Sequence, residues 1–229
     1  MRIAILDCAT WVSPALEKYD SIAAMITKWL APHLIGDELI RVAIGDGAPT
    51  VSVHDFDGFI VSGSELGVYD SPAWMAPMRA LLLDIRAAGK PVYGICFGHQ
   101  LMADTYGGKA EKAEMWAAGV RQFRVDGETF DAYVLHGDQV TRVPPGSKVA
   151  GSSDYCPIAA LTYDFPAMST QFHPEYGSSF VGDVIDLIDD ELPGADGARA
   201  RQSMQQANVK SDLFADRVAA FFKSHAPDS

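Results

Sequence analysis

Cysteine is scarce in this chain, with three among 229 residues: Cys8, Cys96 and Cys156. So small and odd a number gives no disulfide framework and suits a reducing compartment. Basic residues are also few, 18 Lys and Arg against 30 Asp and Glu, for a net charge of −12. Such a surface repels phosphate backbones and anionic bilayers, so neither nucleic acid nor a membrane is an expected partner. Long apolar runs are missing. The opening stretch has only Ile3-Ala4-Ile5-Leu6 in a row. That is shorter than a signal-peptide core, and no stretch approaches the ~20 apolar residues that cross a bilayer. The cytoplasm is the expected location. Repeats and low-complexity linkers are absent too. The turn cluster Gly45-Asp46-Gly47-Ala48-Pro49 is not a phosphate loop, because no Gly-Lys-Ser/Thr follows it.

What is present is a globular composition, 48% hydrophobic, in a chain long enough to bury a core without staples. Short apolar runs at Arg2–Asp7, Leu39–Ile44, Asp57–Val61 and Pro91–Ile95 read as buried strands. Helical spacing appears at Ser21–Leu30, Pro77–Ala88 and Gly98–Tyr106. This alternation predicts an α/β fold with a mixed, mostly parallel central sheet and helices on both faces. Between Lys109 and Phe172 the pattern changes to short runs at Val120–Val125, Ala132–Leu135, Lys148–Ala150, Ile158–Thr162 and Ala167–Phe172, separated by turns such as Asp126-Gly127. These read as antiparallel strands added to the parallel core. Three helical patterns close the chain, near 179–190, 197–208 and 212–224. In the first of them Phe180, Val184, Leu187 and Ile188 form an apolar face expected to cover the sheet. No composition break divides residues 1–229, so one domain is expected.

The stretch that carries chemistry is Gly94-Ile95-Cys96-Phe97-Gly98-His99-Gln100, between a strand and a helix. A sharp turn there lifts Cys96 out of the sheet edge and requires small neighbours. The helix that follows aims its N–H groups at the sulfur and favours thiolate, and the Phe97 N–H is placed to receive an oxyanion. The bland alternative is a small core cysteine in a tight corner. A thiolate needs a proton donor with an orienting partner. His173, in Gln171-Phe172-His173-Pro174-Glu175, ends an apolar run at a proline that cannot continue a central strand, and Glu175 follows two residues later. Read alone, His173 merely ends a strand. His99 is expected to pack or hydrogen-bond. His136, in Leu135-His136-Gly137-Asp138, reads as a loop residue facing the pocket. None of these groups has the close paired spacing of zinc ligands, so no metal is expected.

Two of these segments together, in this order and 77 residues apart (173 − 96), resemble the class I (triad-type) glutamine amidotransferases. The likeness covers about residues 40–180. It implies a flavodoxin-like three-layer sandwich and no cofactor. It implies Cys96 as nucleophile on the side-chain amide of glutamine, His173 as acid and base, and Glu175 as its orienter. Gln100 would hold the amino-acid end of the substrate, and the His136-Gly137-Asp138 segment would line the glutamine pocket. The second oxyanion donor would come from Ser62-Gly63-Ser64, where Ser64 stands in place of the family's usual second glycine; its N–H survives, and Gly63 borders the substrate. No acceptor module or ATP-binding motif accompanies the site, so ammonia is expected to pass to a separate synthase protein. The chain is also similar to stand-alone members, including γ-glutamyl peptidases that act on glutathione-like compounds. On that reading Trp116 walls a pocket open beyond the scissile bond. A non-catalytic binding module on the same fold is the third reading. Exposed parts of the C-terminal helices would serve a homodimer.

Overall fold

The computed structural model describes residues 1–10, 13–44, 51–190, 192, 196–205 and 207–226. The expected turn at 45–49 lies outside them. In β1 (Arg2–Asp7), Ile3 and Ile5 join one apolar cluster, while Ala4 and Leu6 join another. This period of two gives a strand with two buried faces, and hence a sheet needing helices on both sides. β2 (Glu38–Ala43), β3 (Gly58–Val61) and β4 (Val92–Ile95) lie parallel to it. α1 (Ile22–Leu30) packs on the face of Ile3 and Ile5. Its N-terminus is capped by the Ser21 hydroxyl, which accepts from the Ala24 N–H at 3.1 Å. α2 (Met75–Ala87) and α3 (Phe97–Thr105) cover the opposite face through Met78, Leu82, Leu101 and Met102.

The chain then builds an antiparallel half. β5 (Lys109–Val125) and β6 (Glu128–Arg142) form a hairpin far longer than the short runs at Val120–Val125 and Ala132–Leu135 suggest. The extra length is polar: at its Lys109 end β5 exposes most of its residues, so no apolar pattern marks it. Asp126 and Gly127 turn the hairpin with φ of 50° and 85°, the primed geometry that matches strand twist. β7 (Lys148–Ser152), β8 (Ala160–Thr162) and β9 (Ala167–Thr170) lead back to the centre. The nine strands run in the order β2-β1-β3-β4-β9-β8-β7-β5-β6. Pairings from β2 through β9 are parallel and the rest antiparallel.

α4 (Ser178–Ile188), α5 (Asp196–Met204) and α6 (Ser211–Ser224) close the chain. α6 packs beside α1 through Phe214, Val218 and Phe222. No helix among the described residues is long and apolar enough to cross a membrane. The decisive pairing is β4 with β9, Ile95 opposite Thr170. It sets the residues just past two neighbouring parallel strands side by side, at the carboxyl edge where open α/β sheets hold their sites.

Candidate active site

Cys96 is the residue between β4 and α3, with φ 51° and ψ −102°. A non-glycine residue at positive φ is strained, and such strain persists only where the surroundings enforce it. Here the Cys96 N–H donates to the Thr170 carbonyl at 2.8 Å. The flanking glycines are required by close approach. A β-carbon on Gly94 would lie 2.6 Å from Met102 Sδ, and one on Gly98 would meet the Val61 carbonyl and sit 2.9 Å from Val61 Cβ. The first turn of a nine-residue helix therefore starts at the sulfur.

His173 follows β9, and its N–H bonds the Tyr133 carbonyl of β6 at 2.9 Å. Its Nδ1 lies 2.8 Å from Glu175 Oε1, and both side chains are buried. Tyr176 stacks on the imidazole, ring centroids 3.9 Å apart at 9°. On the other side, a β-carbon on Gly63 would lie 3.0 Å from His173 Cε1. Burial alone pushes the His173 pKa down, but the Glu175 carboxylate and Cys96 outweigh it and hold it above its usual range. The ring is thus an imidazolium near neutrality.

A cleft of about 360 Å³ opens over this group. The sheet side contributes Gly63, Ser64, Cys96 and His173, and the hairpin adds Trp116 and Leu135. Trp116 lies within a register shift in β5 between Lys112 and Ala117. Bulges of this kind re-aim side chains beside sites. The helical side contributes Leu16, Ile22 and, from α4, Phe180, Val184, Leu187 and Ile188. The apolar face of α4 therefore does not simply cover the sheet. Phe180, Val181 and Ile185 are buried, whereas Val184, Leu187 and Ile188 border the cleft, and Leu187 is 43% exposed.

Three expected pocket residues lie behind the lining. His136 and Gly137 are not in a loop: they belong to β6, where His136 pairs with Ala117. The His136 ring is buried, bonded to the Asp138 carbonyl at 2.9 Å and the Tyr155 hydroxyl at 3.0 Å. The Trp116 ring covers Gly137, where a β-carbon would come within 3.0 Å of it. Gln100 is also buried. Its Nε2 donates to the Asp138 carbonyl at 2.9 Å and to Gln171 Oε1 at 3.2 Å. Gln171 in turn directs its Nε2 at Cys96 Sγ, 3.6 Å away. Sequence reasoning gave Gln171 no role. The signal was its spacing of two from His173, which places both on one side of an extended segment. His99 packs as expected, with Nε2 3.1 Å from the Ile158 carbonyl and Nδ1 2.8 Å from Ser169 Oγ. Burial lowers the pKa of His99 to about 4 and of His136 to about 3.

Residues 16–185 match the family model described as Glutamine amidotransferase class-I. Among similar curated proteins, the GMP synthase (glutamine-hydrolyzing) of Azoarcus sp. strain BH72 is 34% identical over 57% of this chain and 28% of that protein. The corresponding protein of Aromatoleum aromaticum is 33% identical over 79% of this chain and 35% of that one. The chain thus spans about a third, or less, of these relatives' length. A solved glutamine amidotransferase from Thermotoga maritima superposes with a TM-score of 0.75 at 14% identity, covering 100% of this chain and 99% of that one. Another, from Methylobacillus flagellatus, gives 0.74 at 19% identity over 100% and 96%. At these identities the likeness concerns the fold.

Proposed function

Because this chain belongs to the class I glutamine amidotransferases, we propose that it hydrolyses a γ-glutamyl amide through a thioester on Cys96, with glutamine as the minimal substrate. The observation that carries this reading is the strained Cys96 sharing one cleft with the buried His173–Glu175 pair. The Cys96 sulfur attacks the γ-carbonyl carbon as thiolate. The carbonyl oxygen takes the negative charge between the backbone N–H groups of Phe97 and Ser64. His173 gives its proton to the departing nitrogen, the C–N bond breaks, and ammonia or an amine leaves. Water then attacks the thioester while His173 takes its proton. Glutamate leaves, and thiolate and imidazolium are restored. Glu175 fixes the ring's tautomer and orientation through Nδ1. Gly63 packs against His173 and borders the substrate. Gln100, His136 and Gly137 act from behind: Gln100 braces Gln171 under the sulfur, Gly137 packs against the Trp116 wall, and His136 ties β6 to Tyr155.

The relatives named GMP synthase carry much additional chain. When the leaving group is ammonia, a synthase such as the remainder of those relatives is its acceptor. The test is glutamate release from glutamine by the wild type and by Cys96→Ala. Release by the wild type and loss of at least a thousandfold in the folded variant are expected. Equal rates in the two would refute a thioester on Cys96.

A further inference from the structure

We propose that the substrate's leaving group is an uncharged, apolar amine seated against α4, a proposal that rests on the γ-glutamyl hydrolysis described above. The acid that protonates the departing nitrogen fixes where its substituent lies. His173 stacks on Tyr176, and Tyr176 packs on Phe180 with ring centroids 4.5 Å apart. From there the cleft wall continues through Val184, Leu187 and Ile188, with Leu16 and Ile22 also lining it. A substituent on the scissile nitrogen therefore leaves the reacting centre along an apolar wall.

Free glutamine has only hydrogens on that nitrogen and would leave this part of the cleft to water. At about 360 Å³ the cleft has room for more than a glutamyl group. The charge of the lining selects among the larger leaving groups. Among the described residues it holds no Lys or Arg; its charged members are Glu65 and, at the reacting centre, the His173 imidazolium, which is already paired with Glu175. Lys18, in the same segment as Leu16, is paired with Asp183 at 2.7 Å. A peptide leaving group such as the Cys-Gly of glutathione brings a carboxylate for which the wall along α4 offers no cation. An alkyl or aryl amine brings only surface to bury. The overall step is γ-Glu-NHR + H₂O → Glu + RNH₂, which needs no further reactant.

The experiment compares kcat/KM of the full chain on glutamine, γ-glutamylethylamide, γ-glutamylbutylamide, γ-glutamylanilide and γ-glutamylglycine. A buried methylene is worth roughly fourfold, so the four carbons of a butyl group gain up to ~250-fold over glutamine. The butylamide and anilide are expected to exceed glutamine by tenfold or more, and γ-glutamylglycine to fall below the ethylamide. Leu187 is half-exposed, so its replacement does not threaten the core. Leu187→Asp should lower the butylamide-to-glutamine ratio, and Leu187→Arg should raise the glycine-to-ethylamide ratio. Turnover of glutamine with a flat or falling alkyl series would overturn the proposal and leave γ-glutamyl hydrolysis standing. No Cys96-dependent turnover of any member would overturn both. An alkyl preference unmoved by either Leu187 variant would place the amine elsewhere and overturn the proposal alone.

Discussion

His99 and His136 give this protein a specific weakness toward mild acid. Each ring is buried and bonded as the neutral form requires. Nε2–H of His99 donates to the Ile158 carbonyl while Nδ1 accepts from the Ser169 hydroxyl; Nδ1–H of His136 donates to the Asp138 carbonyl while Nε2 accepts from the Tyr155 hydroxyl. A second proton on either ring would be desolvated and would face a hydroxyl already donating to it. The folded pKa values, about 4 and about 3, lie below the ~6.5 of an unfolded histidine. The unfolded chain therefore binds more protons below pH 6.5. The stability these neutral rings supply is complete above that pH and is lost as pH falls toward the folded values. At about 1.4 kcal/mol per pH unit for each group, lowering the pH from ~7 to ~5 removes about 2 kcal/mol per histidine, or about 4 together. His173 has the opposite shift and returns somewhat under ~1 kcal/mol over the same interval, because the unfolded chain still has protons to take up there. The net loss is about 3 kcal/mol. Urea unfolding followed by tryptophan fluorescence at pH 7, 6 and 5 measures it. His99→Gln isolates one share: whatever its cost at pH 7, its additional loss by pH 5 should be about 2 kcal/mol smaller than the wild type's. Equal losses in the two proteins would refute a buried neutral His99.

Cys96→Gly should be more stable than Cys96→Ala by about 1–2 kcal/mol, because glycine alone accepts φ 51° and ψ −102° without strain. Equal melting midpoints would mean that the elbow stores no strain. Gln171→Ala removes the amide that contacts the Cys96 sulfur. Glutamine turnover and the rate of Cys96 alkylation by iodoacetamide should both fall about tenfold, as expected for a misplaced reacting group. An unchanged alkylation rate would deny Gln171 a positioning role. Because Glu175 and Cys96 raise the His173 pKa, turnover should persist through neutrality and decline only as alkaline pH strips the imidazolium. A decline centred near pH 6.5 would contradict that shift. The same sign holds for stability: the His173 contribution is complete below pH 6.5 and is lost as pH rises through the raised value.

The elbow and the His-Pro-Glu segment were legible because each is local. A Gly-x-Cys-x-Gly turn and a proline-terminated strand write their geometry into a few adjacent residues, and the β4–β9 pairing needs only the strand order to bring them together. The two buried faces of β1 were legible for the same reason. The hairpin's length was not, since the outer part of β5 is stabilised by its ladder to β6 rather than by burial, and so shows no apolar pattern. Nor was the division of labour on α4. Val184 and Leu187 have the same helical spacing whether the facing element is the sheet or a cleft, and only the placement of Leu16 and Trp116 decides between them. Gln100 and His136 were found as polar residues near the nucleophile. Their direction, inward to Gln171 and Tyr155, depends on partners 71 and 19 residues away.

The insertion of β9 beside β4 also sets an order of events during synthesis. The first four strands emerge in sequence and pair with one another as they appear, β1 between β2 and β3 and then β4 against β3. Strand β4, with the sequence Val92-Tyr93-Gly94-Ile95, then waits as an open edge through all of β5 to β8, because its second partner is the last strand made. An apolar, unpaired edge is the part of a nascent sheet most prone to join another chain. Closure of the sheet at its centre, rather than at its rim, thus joins strands far apart in the chain, the kind of contact that topology makes slow to form. The same event delivers His173 to Cys96, so a ribosome-bound fragment ending before residue 167 carries the cysteine without its histidine.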